Sequence, residues 1–189
     1  MAYADVFRPS VKQYAGLYDV VLVLGGSLFI ALSAQIAIPL PFSPVPVTGQ
    51  TLAVLLVGAL LGSRRGALSV LAYLAEGAMG LPVFAAGGAG ILWLLGPTGG
   101  YLFGFIPAAF VTGLLAERGW DRRVGSTLVM MLAGNLTLYA LGVPYLASYV
   151  GLDRALALGF VPFIVGDLCK WLLAAALLPS GWRLLQRSR

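Results

Sequence analysis

The chain has 189 residues, of which 60% are hydrophobic and only 10% charged, and its mean hydropathy is +0.93. An ordinary soluble domain is roughly a quarter charged, so composition excludes that class. A bilayer-spanning helix takes about 20 largely apolar residues, which leaves room for about seven crossings and makes residues 1–189 one integral membrane domain.

The net charge of +5 resides in short clusters between apolar segments, which is the pattern of topogenic charge and not of a nucleic-acid surface. The chain has no His, and Cys169 is its single cysteine. That excludes an internal disulfide and any Cys/His metal site. Residues 1–16 contain Arg8 and Lys12 and lack the short apolar core and small-residue cleavage pattern of a secretory signal. They read as a retained cytoplasmic segment.

Six apolar runs follow in chain order: Leu17 to Ile38, Gly49 to Gly62, Gly66 to Met79, Gly100 to Ala116, Val124 to Tyr145 and Leu158 to Leu178. The expected fold is therefore an all-α bundle of six transmembrane helices, followed by a basic tail over residues 179–189. The second and third runs are short and are split by Ser63-Arg64-Arg65; two crossings are the reading, and a re-entrant hairpin is the alternative. Arg8, Lys12, Arg64, Arg65, Arg118, Arg122, Arg123, Arg183, Arg187 and Arg189 all fall on one side of a six-crossing bundle. Arg154 alone falls on the other. By the positive-inside rule both termini are then cytoplasmic, in a multi-pass protein of the cell membrane.

The outer loops differ in kind from the short charged links. Residues 39–48 carry Pro39, Pro41, Pro44 and Pro46, and residues 80–99 are rich in glycine. Irregular backbone this apolar is tolerated near a bilayer when it is buried in protein or lines a cavity, so both loops are candidate lids over an outward-facing pocket.

Candidate binding residues are few. Asp167 and Lys170 stand three apart on one face of the last run, and intramembrane charges turn toward the bundle interior and pair there. Asn135 and Tyr139 share a face of the fifth run, although an intramembrane Asn serves equally well as an interhelical staple. Thr48, Gln50 and Thr51 open the second run, where a capping role is equally available. Thr98 precedes a helix start, a place that receives a carboxylate well. Glu76 lies near the outer end of the third run and reads as interfacial. In the first run Ser27 with Ala31 and Ser33 with Ala37 are small-residue pairs at four-residue spacing that permit close helix approach. No phosphate loop, nucleophile elbow or paired intramembrane acids occur, so the residues propose no catalytic group and no ATP site, and active transport must draw energy from a partner or an ion gradient.

The stretches Pro44-Val-Pro-Val-Thr-Gly-Gln-Thr-Leu52, Gly80-Leu-Pro-Val-Phe84 and Gly96-Pro-Thr-Gly-Gly-Tyr-Leu-Phe-Gly-Phe105, then Gly134-Asn135 and Gly166-Asp167 with Lys170, resemble in order and spacing the BioY family of biotin transport proteins. The resemblance implies the substrate-binding S component of an energy-coupling factor transporter, with biotin as transported ligand, no cofactor, and a transmembrane coupling protein and two ATPase subunits as partners. A stand-alone transporter is the alternative within the family; a passive channel or structural bundle is the alternative outside it. The resemblance also implies that Asp167, Lys170 and Asn135 meet the ureido ring, with Lys170 alternatively meeting the carboxylate, and that Phe84, Trp93, Tyr101 or Tyr139 flank the bicycle. Many S components carry an Ala-x-x-x-Ala docking motif in the first helix; here it is degraded to Ser27-x-x-x-Ala31 and Ser33-x-x-x-Ala37.

The cation asymmetry yields a direct test. With Cys169 removed, single cysteines placed beside Arg122 react with an impermeant thiol reagent only after the cells are permeabilised. Reaction in intact cells contradicts the expected topology.

Overall fold

The computed structural model describes residues 2–9 and 11–187, with backbone alone for residues 12, 13, 186 and 187. Arg189 and the side chains of Lys12 and Arg187 thus lie outside the described parts. A short helix α1 (Tyr3–Val6) leads into α2 (Lys12–Ala34), a two-residue ribbon pairs β1 (Ala37–Ile38) with β2 (Val47–Thr48), and α3 (Gln50–Leu61) and α4 (Ser63–Ala78) follow. After a 3-10 turn at Ala85–Gly87 come α5 (Ile91–Leu94), α6 (Gly99–Glu117), a 3-10 turn at Trp120–Arg122, and α7 (Val124–Val150). The chain closes with α8 (Leu152–Gly159), a 3-10 turn at Val161–Phe163 and α9 (Ile164–Arg187).

Among the described residues, four segments are long and apolar enough to cross a membrane: Tyr14–Ala34, Gly99–Glu117, Val124–Val150 and the stretch Leu152–Leu185 that contains α9. At about 1.5 Å per residue α3 falls well short of a roughly 30 Å core. It need not span alone, because it is the interior helix of the bundle: Ala53, Val54, Leu55, Leu56, Val57 and Ala59 are all buried. Glycine makes that packing possible. A Cβ on Gly58 would lie 2.4 Å from the Ala109 carbonyl of α6, and one on Gly66 would lie 2.8 Å from Gly58 itself.

Several boundaries differ from the sequence expectation, each for a local reason. The first helix stops at Ala34, four residues early, because Pro39 and Pro41 pull the preceding backbone into an extended form; Ala37 pairs with Thr48 and Ile38 with Val47 instead. Arg64 and Arg65 are not a linker but sit in the first turn of α4. The last run divides, its first residues forming the end of the amphipathic α8, and α9 continues through Pro179 where a separate tail was expected. α7 likewise runs past Pro144 to Val150.

Cations at the start of a helix oppose its dipole, and the N-terminal segment answers them. Arg65 meets Asp5 at 2.9 Å and Asp19 at 2.7 Å, while Arg8 meets Asp19 at 2.6 Å. Glu117 of α6 accepts the Ser63 N–H at 2.7 Å, closing the same end. The Tyr3 ring lies 4.4 Å from Trp182, whose indole N–H donates to the fully buried Asp121. Burial pushes the Asp121 carboxyl above the usual range. Both described ends of the chain therefore lie at one end of the bundle, and the proline-rich and glycine-rich loops lie at the other.

Burial alone would raise the Asp5 carboxyl, but the Ala2 N–H and the Arg65 guanidinium override it and hold it below the usual carboxylate range. A depressed value means that the folded state favours the charged form, so the contribution is present above that range and is lost as pH falls through the depressed value. Asp5→Asn should lower the melting temperature in detergent at neutral pH, with the gap from the parent closing as the buffer is acidified below about pH 4. A gap that is constant with pH would show that Asp5 contributes nothing through its charge.

Candidate functional site

A cavity of about 420 Å³ lies under the proline-rich and glycine-rich loops, within the roughly 300–1,000 Å³ usual for small-molecule sites. Prolines 39, 44 and 46 with Leu40, Ser43 and Val45 roof it from one loop. Ala85, Ala86, Leu92, Trp93, Gly96, Pro97 and Thr98 roof it from the other. The walls are Thr48, Gln50 and Thr51 at the start of α3, Tyr101, Leu102 and Phe105 on α6, Leu138 and Tyr139 on α7, and Phe163 before α9. Side chains at helical spacing on α6 and adjacent positions on α7 thus supply an apolar slot, with hydroxyls and one carboxamide gathered at the α3 corner.

The roof is tied down. Ser43 donates to the Leu158 carbonyl at 2.7 Å, fastening the first loop to α8, and Tyr149 donates to the Leu95 carbonyl at 2.6 Å, fastening the second to α7. Tyr101 donates to the Gly159 carbonyl at 2.8 Å, which spends its hydroxyl on α8 while its ring faces the cavity.

Behind the α3 corner stands the charged pair. Asp167 and Lys170 are 3.5 Å apart, with the Asp167 side chain 3% and the Lys170 side chain 17% exposed. Neither lines the cavity; each instead holds a residue that does. Tyr139 donates its hydroxyl to Asp167 Oδ2, and Lys170 donates to Thr51 Oγ1 at 2.7 Å. Asn135 stands beside the same carboxylate as a further hydrogen-bond partner. In this cluster Asn135 Oδ1 is buried without a hydrogen-bond donor among the described residues, and Asp167 Oδ1 has the Lys170 ammonium at 3.5 Å as ion-pair partner but no shorter bond. Buried acceptors are seldom left so.

The sequence candidates sort accordingly. Thr48, Gln50, Trp93, Thr98, Tyr101 and Tyr139 line the cavity, and Asn135, Asp167 and Lys170 form the layer behind it. Phe84 does not reach it: fully buried, it packs edge-on against Tyr73 at 5.5 Å and fills the space that a side chain on Gly77 would need. It anchors the second loop to α4. On α2, Ser27 and Ala31 are buried within the chain, with Ser27 donating to Glu76 of α4 at 2.6 Å; Ser33 is half-buried, and Ala37 lies beyond the end of α2 in β1, so Ser33 and Ala37 do not form the expected pair on one helix. Two supporting residues escaped the sequence reading. Tyr73, hidden in a generic apolar run, accepts from the Gln50 carboxamide. Phe105 was legible as the residue one helical turn after Tyr101.

Fold and site together define a multi-pass helical membrane protein that takes a small, partly apolar solute between its helices. Residues 8–187 match the BioY family, and the chain belongs to that family. It is similar to the "Biotin transporter BioY" of Thermotoga maritima, with 46% identity over 162 residues covering 85% of this chain and 89% of the relative. The protein of that description from Rhizobium etli is 42% identical over 168 residues, 84% of this chain and 90% of the relative. A crystal structure of the S-component for biotin from an ECF-type ABC transporter superposes with a TM-score of 0.78 at 27% identity, covering 92% of this chain and 95% of that one.

The Tyr139 bond to Asp167 is the most exposed to test. Tyr139→Phe removes the donor from a buried carboxylate, and hydrogen bonds to charged groups are worth about 1.5–3 kcal/mol. The variant should melt several degrees below the parent in detergent. An unchanged midpoint would mean that the bond carries no net stability.

Proposed function

We propose that the chain captures biotin at the outer face of the cell membrane as the substrate-binding subunit of an energy-coupling factor transporter. Membership in the family and the likeness to a biotin S-component support the substrate. The ureido ring carries two N–H donors and one carbonyl acceptor, and the observation that carries the reading is a buried carboxylate and amide behind the cavity in which Asn135 Oδ1 has no hydrogen-bond donor and Asp167 Oδ1 meets the Lys170 ammonium only at 3.5 Å. With a modest turn of the Tyr139 ring, a ureido N–H reaches the Asp167 carboxylate; rotamer changes of this size are common on binding. Lys170 neutralises that carboxylate and donates toward the ureido oxygen alongside Thr51. The bicycle lies against Trp93, Tyr101 and Tyr139, and the valerate carboxylate points to Thr98 at the start of α6, where the helix dipole favours negative charge. Thr48 and Gln50 complete the polar corner.

The proposed orientation puts both termini in the cytoplasm and six crossings in the bilayer, with α3 and α4 counted as the short second and third. The gathering of Arg8, Arg64 and Arg65 around α1, opposite the lid loops, supports it. With no ATP-binding motif in the chain, the proposed energy source is a transmembrane coupling protein with two ATPase subunits, in keeping with the likeness to an S-component. The apolar stripe of α2 formed by Leu17, Val20, Val21, Leu24, Leu28 and Leu32, exposed in the isolated chain, faces lipid or the coupling protein.

Breaking a charged buried contact costs about 2–5 kcal/mol, so Asp167→Asn or Lys170→Met should weaken biotin binding at least about tenfold, at 1.4 kcal/mol per decade. A variant carrying both changes separates the binding role from a structural one. Apolar replacement of a buried ion pair is often tolerated by the fold, so a purely structural pair predicts recovery of binding in the doubly changed protein. Calorimetric titration of monodisperse protein should find the double variant folded yet defective; near-parental affinity there would refute the assignment.

A further inference from the structure

The second lid loop turns through a conformation that is held in part from outside the loop. Ala86, which lines the cavity, sits at φ 54, in the left-handed region that a residue other than glycine rarely enters. Such a turn persists when its surroundings fix it. Within the loop Phe84 N–H donates to the Gly88 carbonyl at 3.0 Å and Gly87 N–H to the Phe84 carbonyl at 3.2 Å; from outside the loop the contact comes from Gln35, the residue that caps α2.

The Gln35 carboxamide bridges three pieces of backbone. Its Nε2 donates to the Phe84 carbonyl at 3.2 Å and reaches the Pro82 carbonyl at 3.5 Å, while also donating to Ala31 of its own helix at 3.2 Å. Its Oε1 accepts the Gly87 N–H at 3.1 Å. The orientation of the amide is therefore set by its partners, with carbonyls on one side and an N–H on the other. These contacts flank Ala85 and Ala86, the two residues that this part of the loop contributes to the cavity. The first lid loop leaves from the same place: Gly49 N–H donates to the Ile36 carbonyl at 2.9 Å, and Ala37 begins the ribbon that carries residues 39–48.

We infer that Gln35 is a positioning residue for ligand retention, a latch that fastens the Pro82–Gly87 segment over the bound molecule without touching it. The inference rests on the biotin reading of the cavity. It is separable from that reading because it concerns the rate of release and not the groups that recognise the ligand. Removing the amide leaves every cavity-lining side chain in place, so entry is unaffected while the roof opens more often.

The test uses full-length protein in lipid nanodiscs, pre-loaded with tritiated biotin and chased with unlabelled biotin. Gln35→Ala should release biotin about tenfold faster, with the association rate within about twofold of the parent. Gln35→Glu retains the acceptor for Gly87 but sets a carboxylate against the Pro82 and Phe84 carbonyls, and it should release at least as fast as the alanine variant. Gln35→Met keeps the bulk and loses the bonds. If Gln35 only fills space, the methionine variant matches the parent, and that result overturns the latch. Hydrogen exchange supplies an independent readout: amides of residues 83–88 should exchange faster in Gln35→Ala without ligand, and those of α6 should not change. Parental release and exchange in all three variants would overturn the inference. Failure of the parent itself to retain biotin would instead overturn the substrate reading.

Discussion

A carboxylate and an ammonium three residues apart in α9 must each be satisfied where water is scarce, and much of the bundle is arranged around that requirement. The effective penalty for burying an ion is several kcal/mol, and an apolar replacement would often serve the fold as well or better. Here α7 and α3 each contribute a hydroxyl to the pair, through Tyr139 and Thr51, and α7 adds the Asn135 carboxamide. Those partners join three helices at one point, just beneath the cavity. The arrangement is one layer deeper than direct contact: the charges hold the hydroxyls, and the hydroxyls face the cavity. Even so, the Asn135 oxygen has no donor among the described residues and Asp167 Oδ1 meets only the ammonium at 3.5 Å. Acceptors of this kind suit a molecule that carries paired N–H donors.

The same economy of small residues that brings the helices together also shapes the outer end. Gly77 gives Phe84 a slot in α4, so the glycine-rich loop is anchored by an aromatic buried outside the cavity. The proline-rich loop lacks N–H groups at four positions and so cannot continue α2. It turns instead into a roof of ring faces that needs few hydrogen bonds. The two loops differ in how they are held, one by a ribbon and Ser43, the other by Phe84, Gln35 and Tyr149.

The parts of this architecture legible in the sequence are those governed by composition and by cost. The apolar runs located the long helices because lipid demands length and hydrophobicity, and Asp167 and Lys170 stood out because charge there is expensive. Thr48, Gln50, Thr98 and Tyr139 stood out as polar groups at helix starts and on a helix face, Trp93 and Tyr101 came with the family resemblance, and all six line the cavity. What stayed hidden depends on tertiary packing. Nothing local separates Phe84 as an anchor from Phe105 as a wall, since both are aromatics in glycine-rich segments. Pro179 read as a helix end, yet α9 continues through it, because neighbouring groups in a bundle can satisfy the backbone a proline frees. The engagement of Ser27 by Glu76 joins two helices across 49 residues of sequence, beyond the reach of any spacing rule.

The central claim is that the buried carboxylate recognises ureido N–H groups, and a cycle that alters both sides measures it. Biotin and a derivative methylated on its ureido nitrogens would be titrated calorimetrically into the parent and into Asp167→Asn. The account predicts coupling: methylation should weaken binding to the parent at least about tenfold more than it weakens binding to the variant. Equal losses in both proteins would contradict it, and would place the ureido ring away from Asp167.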